Sequence, residues 1–257
     1  MKSRALLGYT GYVGSTLRQS NHYTAVFNST NIQSIDGKEF DQIIIAAAPA
    51  EKWRANQHSV ADLLNIEKLI GHLKQVSARQ AVLISTVDVY PDPIGVNETN
   101  QIDADQNHPY GRHRLLLERE VAGLFATKII RLPGLFGNGL KKNIIFDYLN
   151  DNQIEKIDTR SQFQFYNMAR LAYDIERIVE NDHMSVVNLT VEPVKAAQVS
   201  LACTGREHKN HPLKAPPRYD VKSIYAEQFG GRNGYFYSAN ECLTDIAAFS
   251  KVQRENA

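Results

Sequence analysis

Short apolar runs alternate with longer stretches in which apolar residues recur every three or four positions. Residues 5–7, 23–27, 42–48, 81–85 and 128–132 form five short, mostly apolar runs. Their length and β-branched content predict strands. Between the third and fourth runs, Leu63, Ile66, Ile70 and Leu73 share one face of a helix. Between the fourth and fifth, residues 110–125 predict a second helix, carrying Leu115, Leu116, Leu117, Val121 and Leu124. The strand runs are continuously apolar rather than alternating, which is the mark of parallel strands covered on both faces. The pattern therefore predicts an α/β fold with a doubly wound parallel sheet.

After Arg131 the texture changes. Residues 132–139 are rich in glycine and predict a turning connection. A helix follows at 143–149, a strand at 163–166 and a helix at 171–180. Residues 186–189 predict a strand that returns to the sheet. A polar loop with three prolines spans 205–219, and a last helix covers 240–252. The expected organisation is a domain over 1–135, joined by 160–190, and a small α/β subdomain within 136–257.

Composition narrows the function classes. The chain of 257 residues carries 29 Lys and Arg against 28 Asp and Glu, a net charge of +1. With no basic stripe, nucleic-acid binding by electrostatics is not expected. No apolar stretch is long enough to span a bilayer. Lys2 and Arg4 precede an apolar run that meets glycine at once, which is not the pattern of a signal peptide. Cys203 and Cys242 stand far apart, and His208 and His211 lack acidic or cysteine neighbours at ligand spacing, so no metal site is expected. A soluble, cytoplasmic protein is the expectation.

The first strand runs into Gly8-Tyr9-Thr10-Gly11-Tyr12-Val13-Gly14 and then a helix. Glycines at this spacing allow a tight turn, close approach of backbone N–H groups to a pyrophosphate, and close packing of helix on strand. The motif has the strand-to-helix context it needs. Gly8, Thr10, Gly11, Tyr12, Val13 and Gly14 are thus candidates for dinucleotide binding.

Three further segments follow in order. Ser85-Thr86-Val87-Asp88-Val89-Tyr90 ends the fourth strand, Tyr110-Gly111-Arg112-His113-Arg114 opens a helix, and Arg131-Leu132-Pro133-Gly134-Leu135-Phe136-Gly137 follows the fifth strand. Together with the glycine turn, over residues 1–190, they resemble the extended short-chain dehydrogenase/reductase family of epimerases, dehydratases and reductases. The resemblance implies a Rossmann-type fold and places Tyr110 as general acid/base, Thr86 as its partner at the reacting oxygen, and Arg114 where the family has a ribose-binding lysine. Arginine keeps the charge but is not deprotonated, so a non-catalytic NAD(P)-binding sensor or interaction protein stays open beside an enzyme. The family's paired carboxylates for dehydration are reduced to Asp88, which leaves reduction or epimerisation.

The same resemblance adds Asn28, Ser29, Ala47, Ala48 and Pro133 to the cofactor contacts. The second strand ends in Asn28-Ser29-Thr30 with no carboxylate for a ribose 2′-hydroxyl. That tilts the expected cofactor, NADP or NAD, toward NADP. Asp88, Asn143 and Gln164 are the substrate candidates, for a sugar or nucleotide sugar, and relatives suggest a homodimer through the helices before the fourth strand and from Tyr110 onward. Family members are usually longer. About a hundred residues remain here for the substrate side, which implies a reduced, more open substrate part.

Overall fold

The computed structural model describes residues 3–255. In chain order the elements are β1 (Arg4–Leu7), α1 (Tyr12–Ser20), β2 (Ala25–Phe27), β3 (Glu39–Ile45), α2 (Lys52–Gln57), α3 (Ser59–Leu73), β4 (Ser77–Thr86), β5 (Ile94–Val96), α4 (Pro109–Leu124), β6 (Thr127–Leu132), β7 (Gly134–Phe136) and α5 (Ile144–Asn150). Then come β8 (Gln162–Phe163), β9 (Phe165–Asn167), α6 (Leu171–Val179), β10 (Val186–Asn188), β11 (Val194–Lys195), α7 (Ala196–Thr204), β12 (Asp220–Val221) and α8 (Ala239–Glu255).

The chain divides into two compact units. The first comprises residues 1–92, 101–131 and 170–187. Its six-stranded sheet runs β10-β6-β4-β3-β1-β2, with β1 parallel to β2 and β3, and β3 parallel to β4. The order reverses between β1 and β3, as in doubly wound folds. Ala5, Leu7, Ile43, Ile45, Ala81 and Leu83 pack on one face against Ile66, Ile70 and Leu73 of α3 and Leu117 and Val121 of α4. These are the residues that the apolar periodicity put inside.

Two strand boundaries differ from the sequence expectation. β3 begins at Glu39 and β4 at Ser77, because Glu39 to Gln42 pair with Ser77 to Gln80 at the polar end of the ladder. Ladder hydrogen bonds recruit these residues without apolar character. Conversely, 46–48 leave the sheet, where the backbone of Ala46 meets Gly8.

The second unit comprises 93–100, 132–169 and 188–257. It holds three two-stranded ladders: β7 with β9, β8 with β11, and β5 with β12. The single strand expected at 163–166 is two, interrupted at Gln164. Helices α5, α7 and α8 pack with one another, and the tilted rings of Phe136 and Phe249 meet with centroids 6.0 Å apart. No helix among the described residues is long and apolar enough to cross a membrane.

Candidate active site

The glycine turn is built by close backbone approach. Gly8 takes φ +85°, and a Cβ there would lie 2.2 Å from the Ala46 carbonyl oxygen. Gly14 is closed in turn: its Cβ would lie 2.0 Å from the Gly8 carbonyl oxygen. Gly8 N–H donates to Phe27 O at 2.7 Å, Gly11 N–H donates to Gly8 O at 2.9 Å, and Ala46 N–H donates to Leu7 O at 2.9 Å. The turn therefore lies across the ends of β1, β2 and β3.

Gly11 differs from its two companions. It is the exposed N-cap of α1, no side chain caps the helix, and a Cβ there would meet Gly8 O at 3.3 Å and Ala46 O at 4.0 Å. The uncapped start of α1 and the open face at Gly11 fit a pyrophosphate, which binds helix N-terminal amides. Thr10 is exposed, and Tyr12, Val13, Ala47 and Ala48 are half-buried around the turn. At the end of β2, the Asn28 side chain accepts from Thr30 N–H at 3.0 Å and Thr30 Oγ1 at 2.7 Å, and Asn28 N–H donates to Asn31 Oδ1 at 2.6 Å. Asn28 is occupied in shaping its own turn, while Ser29 is exposed.

The second cluster lies at the end of β4 and the start of α4, in the same unit. Gly111 is what brings them together: a Cβ there would lie 2.2 Å from Asp88 O and 2.3 Å from Asn107 Nδ2. Asn107 Nδ2 donates to Asp88 O at 3.0 Å and Val89 O at 2.7 Å, tying the loop before α4 to the strand end. His108 Nδ1 accepts from Gly111 N–H at 3.0 Å and caps α4. Asn56 of α2 accepts from Tyr110 N–H at 3.0 Å.

Tyr110 is 6% exposed. The Thr86 side chain lies beside its hydroxyl, close enough to favour the phenolate. Burial raises its pKa, as does Asp88, against the lowering effect of Arg114, Thr86 and Lys52; the balance is upward. At neutral pH Tyr110 is a phenol with a proton to give. Thr86 Oγ1 accepts from Asp88 N–H at 3.1 Å, and Asp88 Oδ1 pairs with Lys52 Nζ at 2.6 Å.

Arg114 sits one turn beyond Tyr110, its guanidinium 4.5 Å from the ring centroid. It is 3% exposed and its Nη groups are committed. Nη1 donates to Asp62 Oδ2 at 3.0 Å, and Nη2 to Asp62 Oδ1 at 2.9 Å and Pro49 O at 2.5 Å. His113 Nδ1 reaches the same carboxylate at 2.7 Å. Burial alone would raise the Asp62 pKa, but the Arg114 and His113 hydrogen bonds hold it below the usual range. Behind the strand end, Glu118 receives Ser85 Oγ at 2.5 Å and Arg131 Nη2 at 2.6 Å, and Arg131 Nη1 donates to Tyr90 Oη at 2.9 Å.

The remaining predicted residues lie in the second unit. Pro133 is buried. Asn143 caps α5: its Oδ1 accepts from Ile145 and Phe146 N–H at 3.0 and 3.2 Å, and its Nδ2 donates to Leu135 O at 2.8 Å. Its φ of +106° with ψ 174° is a region that glycine ordinarily occupies. Gln164 is 2% exposed, with Nε2 donating to Val191 O and Val221 O at 2.6 and 2.8 Å and Oε1 accepting from Val221 N–H at 2.8 Å. Neither amide proton is left for a substrate.

Lys52, Asn56, Asp62 and Gly111 escaped the sequence reading. Only Gly111 carried a signal, since a glycine beside the tyrosine of a helix's first turn marks close backbone approach.

No protein-family model matches the chain, and no curated protein matches it in sequence. Solved structures match it in fold. The dTDP-4-dehydrorhamnose reductase of Bacillus anthracis str. Ames, in complex with NADP, is similar with a TM-score of 0.72 at 16% identity, over 97% of this chain and 98% of that one. MoeE5, in complex with UDP-glucuronic acid and NAD, gives 0.76 at 16% identity, over 99% and 100%. The UDP-glucose 4-epimerase of Thermotoga maritima, with UDP-glucose, gives 0.76 at 11% identity, over 99% of both chains. The likeness thus runs through the second unit as well as the first. At these identities the likeness shows the fold: over nearly its whole length this chain has the Rossmann-type architecture of those three proteins.

Proposed function

We propose that the chain is a NAD(P)-dependent reductase or epimerase acting on the carbonyl or alcohol of a sugar or nucleotide sugar. The observation that carries the proposal is Tyr110, a buried phenol beside Thr86 with two cations near it, in the unit that also holds the glycine turn. The bound nicotinamide would supply or accept hydride. Gly11 and the first amides of α1 would hold its pyrophosphate, and Ala47 and Ala48 leave room beside the turn. Tyr110 would give its proton to the substrate oxygen while Thr86 orients that oxygen, general acid catalysis by a positioned group. The raised pKa of Tyr110 keeps the proton that reduction of a carbonyl requires. The fold neighbours, which include a reductase and an epimerase, support the substrate class. Pairing of two copies through α3 and α4 belongs to the same reading; Val60 and Leu64 stand exposed on α3.

Titration with NADPH and NADH tests the cofactor half, with NADPH expected to bind the more tightly because no carboxylate follows β2. Turnover of sugar-nucleotide ketones with Tyr110→Phe tests the chemistry. A loss of about 10²–10⁴-fold is expected with dinucleotide affinity unchanged. Binding of neither dinucleotide would sink the proposal.

The capture of Arg114 by Asp62 favours a second reading, a dinucleotide-binding protein without turnover. Binding with unmeasurable activity on every such ketone would select it.

A further inference from the structure

A phenol that gives up its proton must recover one before the next cycle. Where the family resemblance places a lysine, this chain has Arg114. A guanidinium is not deprotonated in proteins, and both Nη groups are bound to Asp62, one of them also to Pro49 O. No proton reaches Tyr110 from that side.

On the other side the groups form a line toward water. Tyr110, 6% exposed, has the Thr86 side chain beside its hydroxyl. Thr86 Oγ1 lies 3.5 Å from Asp88 Oδ2. Asp88 Oδ1 lies 2.6 Å from Lys52 Nζ, and side-chain exposure rises from 18% at Asp88 to 37% at Lys52. We infer that the Lys52–Asp88 pair is the proton supply of Tyr110, acting through the Thr86 hydroxyl.

The inference rests on the reading of Tyr110 as the proton donor. A bound reduced nicotinamide would supply the hydride for the carbonyl carbon, and the Tyr110 hydroxyl would give its proton to the carbonyl oxygen. The Tyr110 phenolate takes the Thr86 hydroxyl proton in concert with the reprotonation of Thr86, so that no free alkoxide forms. Thr86 recovers one by way of the Asp88 carboxylate from the Lys52 ammonium, and the Lys52 amine takes a proton from water. The sum consumes one hydride and one solvent proton per carbonyl reduced. Lys52 and Asp88 are positioning residues here, since they act through Thr86 and do not touch substrate.

One titratable group competes for the role. The His108 ring lies 6.2 Å from that of Tyr110. Its Nδ1 accepts from Gly111 N–H, so its single neutral-form proton is on Nε2. The other titratable groups around Tyr110 are Arg114, with Asp62 and His113 behind it.

The test needs neither cofactor nor substrate. With 13Cζ-labelled tyrosine in mixed H2O and D2O, exchange of the Tyr110 hydroxyl proton with solvent is read by NMR in the full chain. Asp88→Asn should slow exchange on the order of tenfold. Lys52→Arg keeps the charge and the pairing but releases no proton, and should slow it as well. Exchange at the native rate in both variants would overturn the inference, as would slowing only in His108→Asn. Native exchange in Lys52→Arg with slowing in Asp88→Asn would remove lysine from the path. Both substitutions are at partly exposed side chains, and dinucleotide titration of the same variants should give the native Kd. If the native chain binds no dinucleotide, the proposed function fails while the exchange result stands.

Discussion

Asp62 shows how much of this site depends on a single buried side chain. It is 6% exposed and holds Arg114 by two hydrogen bonds and His113 by a third. Its removal leaves a guanidinium buried without its counter-charge, which costs about 3–5 kcal/mol. Asp62→Ala should lower unfolding stability by that amount in denaturant titrations, whereas Glu51→Ala, on the exposed pair with Arg54, should change it by less than about 1 kcal/mol. The spacing of Tyr110 and Arg114 was legible in the sequence because a helix puts residues four apart on one side. What Arg114 binds was not, since its partner comes from α3, 52 positions away in the chain. Lys52 was hidden for the same reason. Asn143 and Gln164 were named as substrate contacts by type and place, yet their polar atoms hold backbone, a use that no residue pattern announces.

At the scale of elements, the glycine turn and the start of α4 make opposite demands. Gly14 sits where a methyl group would strike the Gly8 backbone, so Gly14→Ala should destabilise the fold in thermal melts. Gly11→Ala, with a Cβ 3.3 Å from Gly8 O, should melt close to the native chain but bind dinucleotide about tenfold more weakly, about 1.4 kcal/mol. The start of α4 is pH-dependent. Burial, followed by Lys52, lowers the His108 pKa below 6.5. A depressed folded-state pKa means that the unfolded chain binds the proton first, so the stabilisation is complete above about pH 6.5 and declines as pH falls below it. Protonation at Nδ1 also removes the acceptor for Gly111 N–H. Between pH 7 and pH 5 the native chain should lose stability that His108→Asn, which caps without titrating, retains; the cap is worth about 1 kcal/mol. The helices and central strands were legible because apolar periodicity records burial. The division of residues 162–167 into two strands was not, because it turns on the buried amide of Gln164.

At the scale of the molecule, the first unit is assembled from three separated stretches of chain. The sheet is incomplete without β10, which pairs beside β6 at the edge. Ile129 N–H donates to Ser185 O at 2.8 Å, and the buried Lys128 ammonium donates to Asn181 O at 2.5 Å and Asp182 O at 3.1 Å. A fragment ending at residue 135 lacks all of these partners and bares the Ile129 and Ile130 strand edge, a template for aggregation. It should sediment on centrifugation at a concentration where the full chain stays in the supernatant. The doubly wound order was legible in the alternation of runs and helices, and the return of residues 186–189 was legible as one more short apolar run.

That late strand also sets a timetable. On the ribosome, β6 emerges more than fifty residues before β10. At about 5–20 residues per second, the nascent sheet carries an open edge for some seconds. Over that interval a cell must shield β6, or slow its encounters with other chains, before the six-stranded sheet can close.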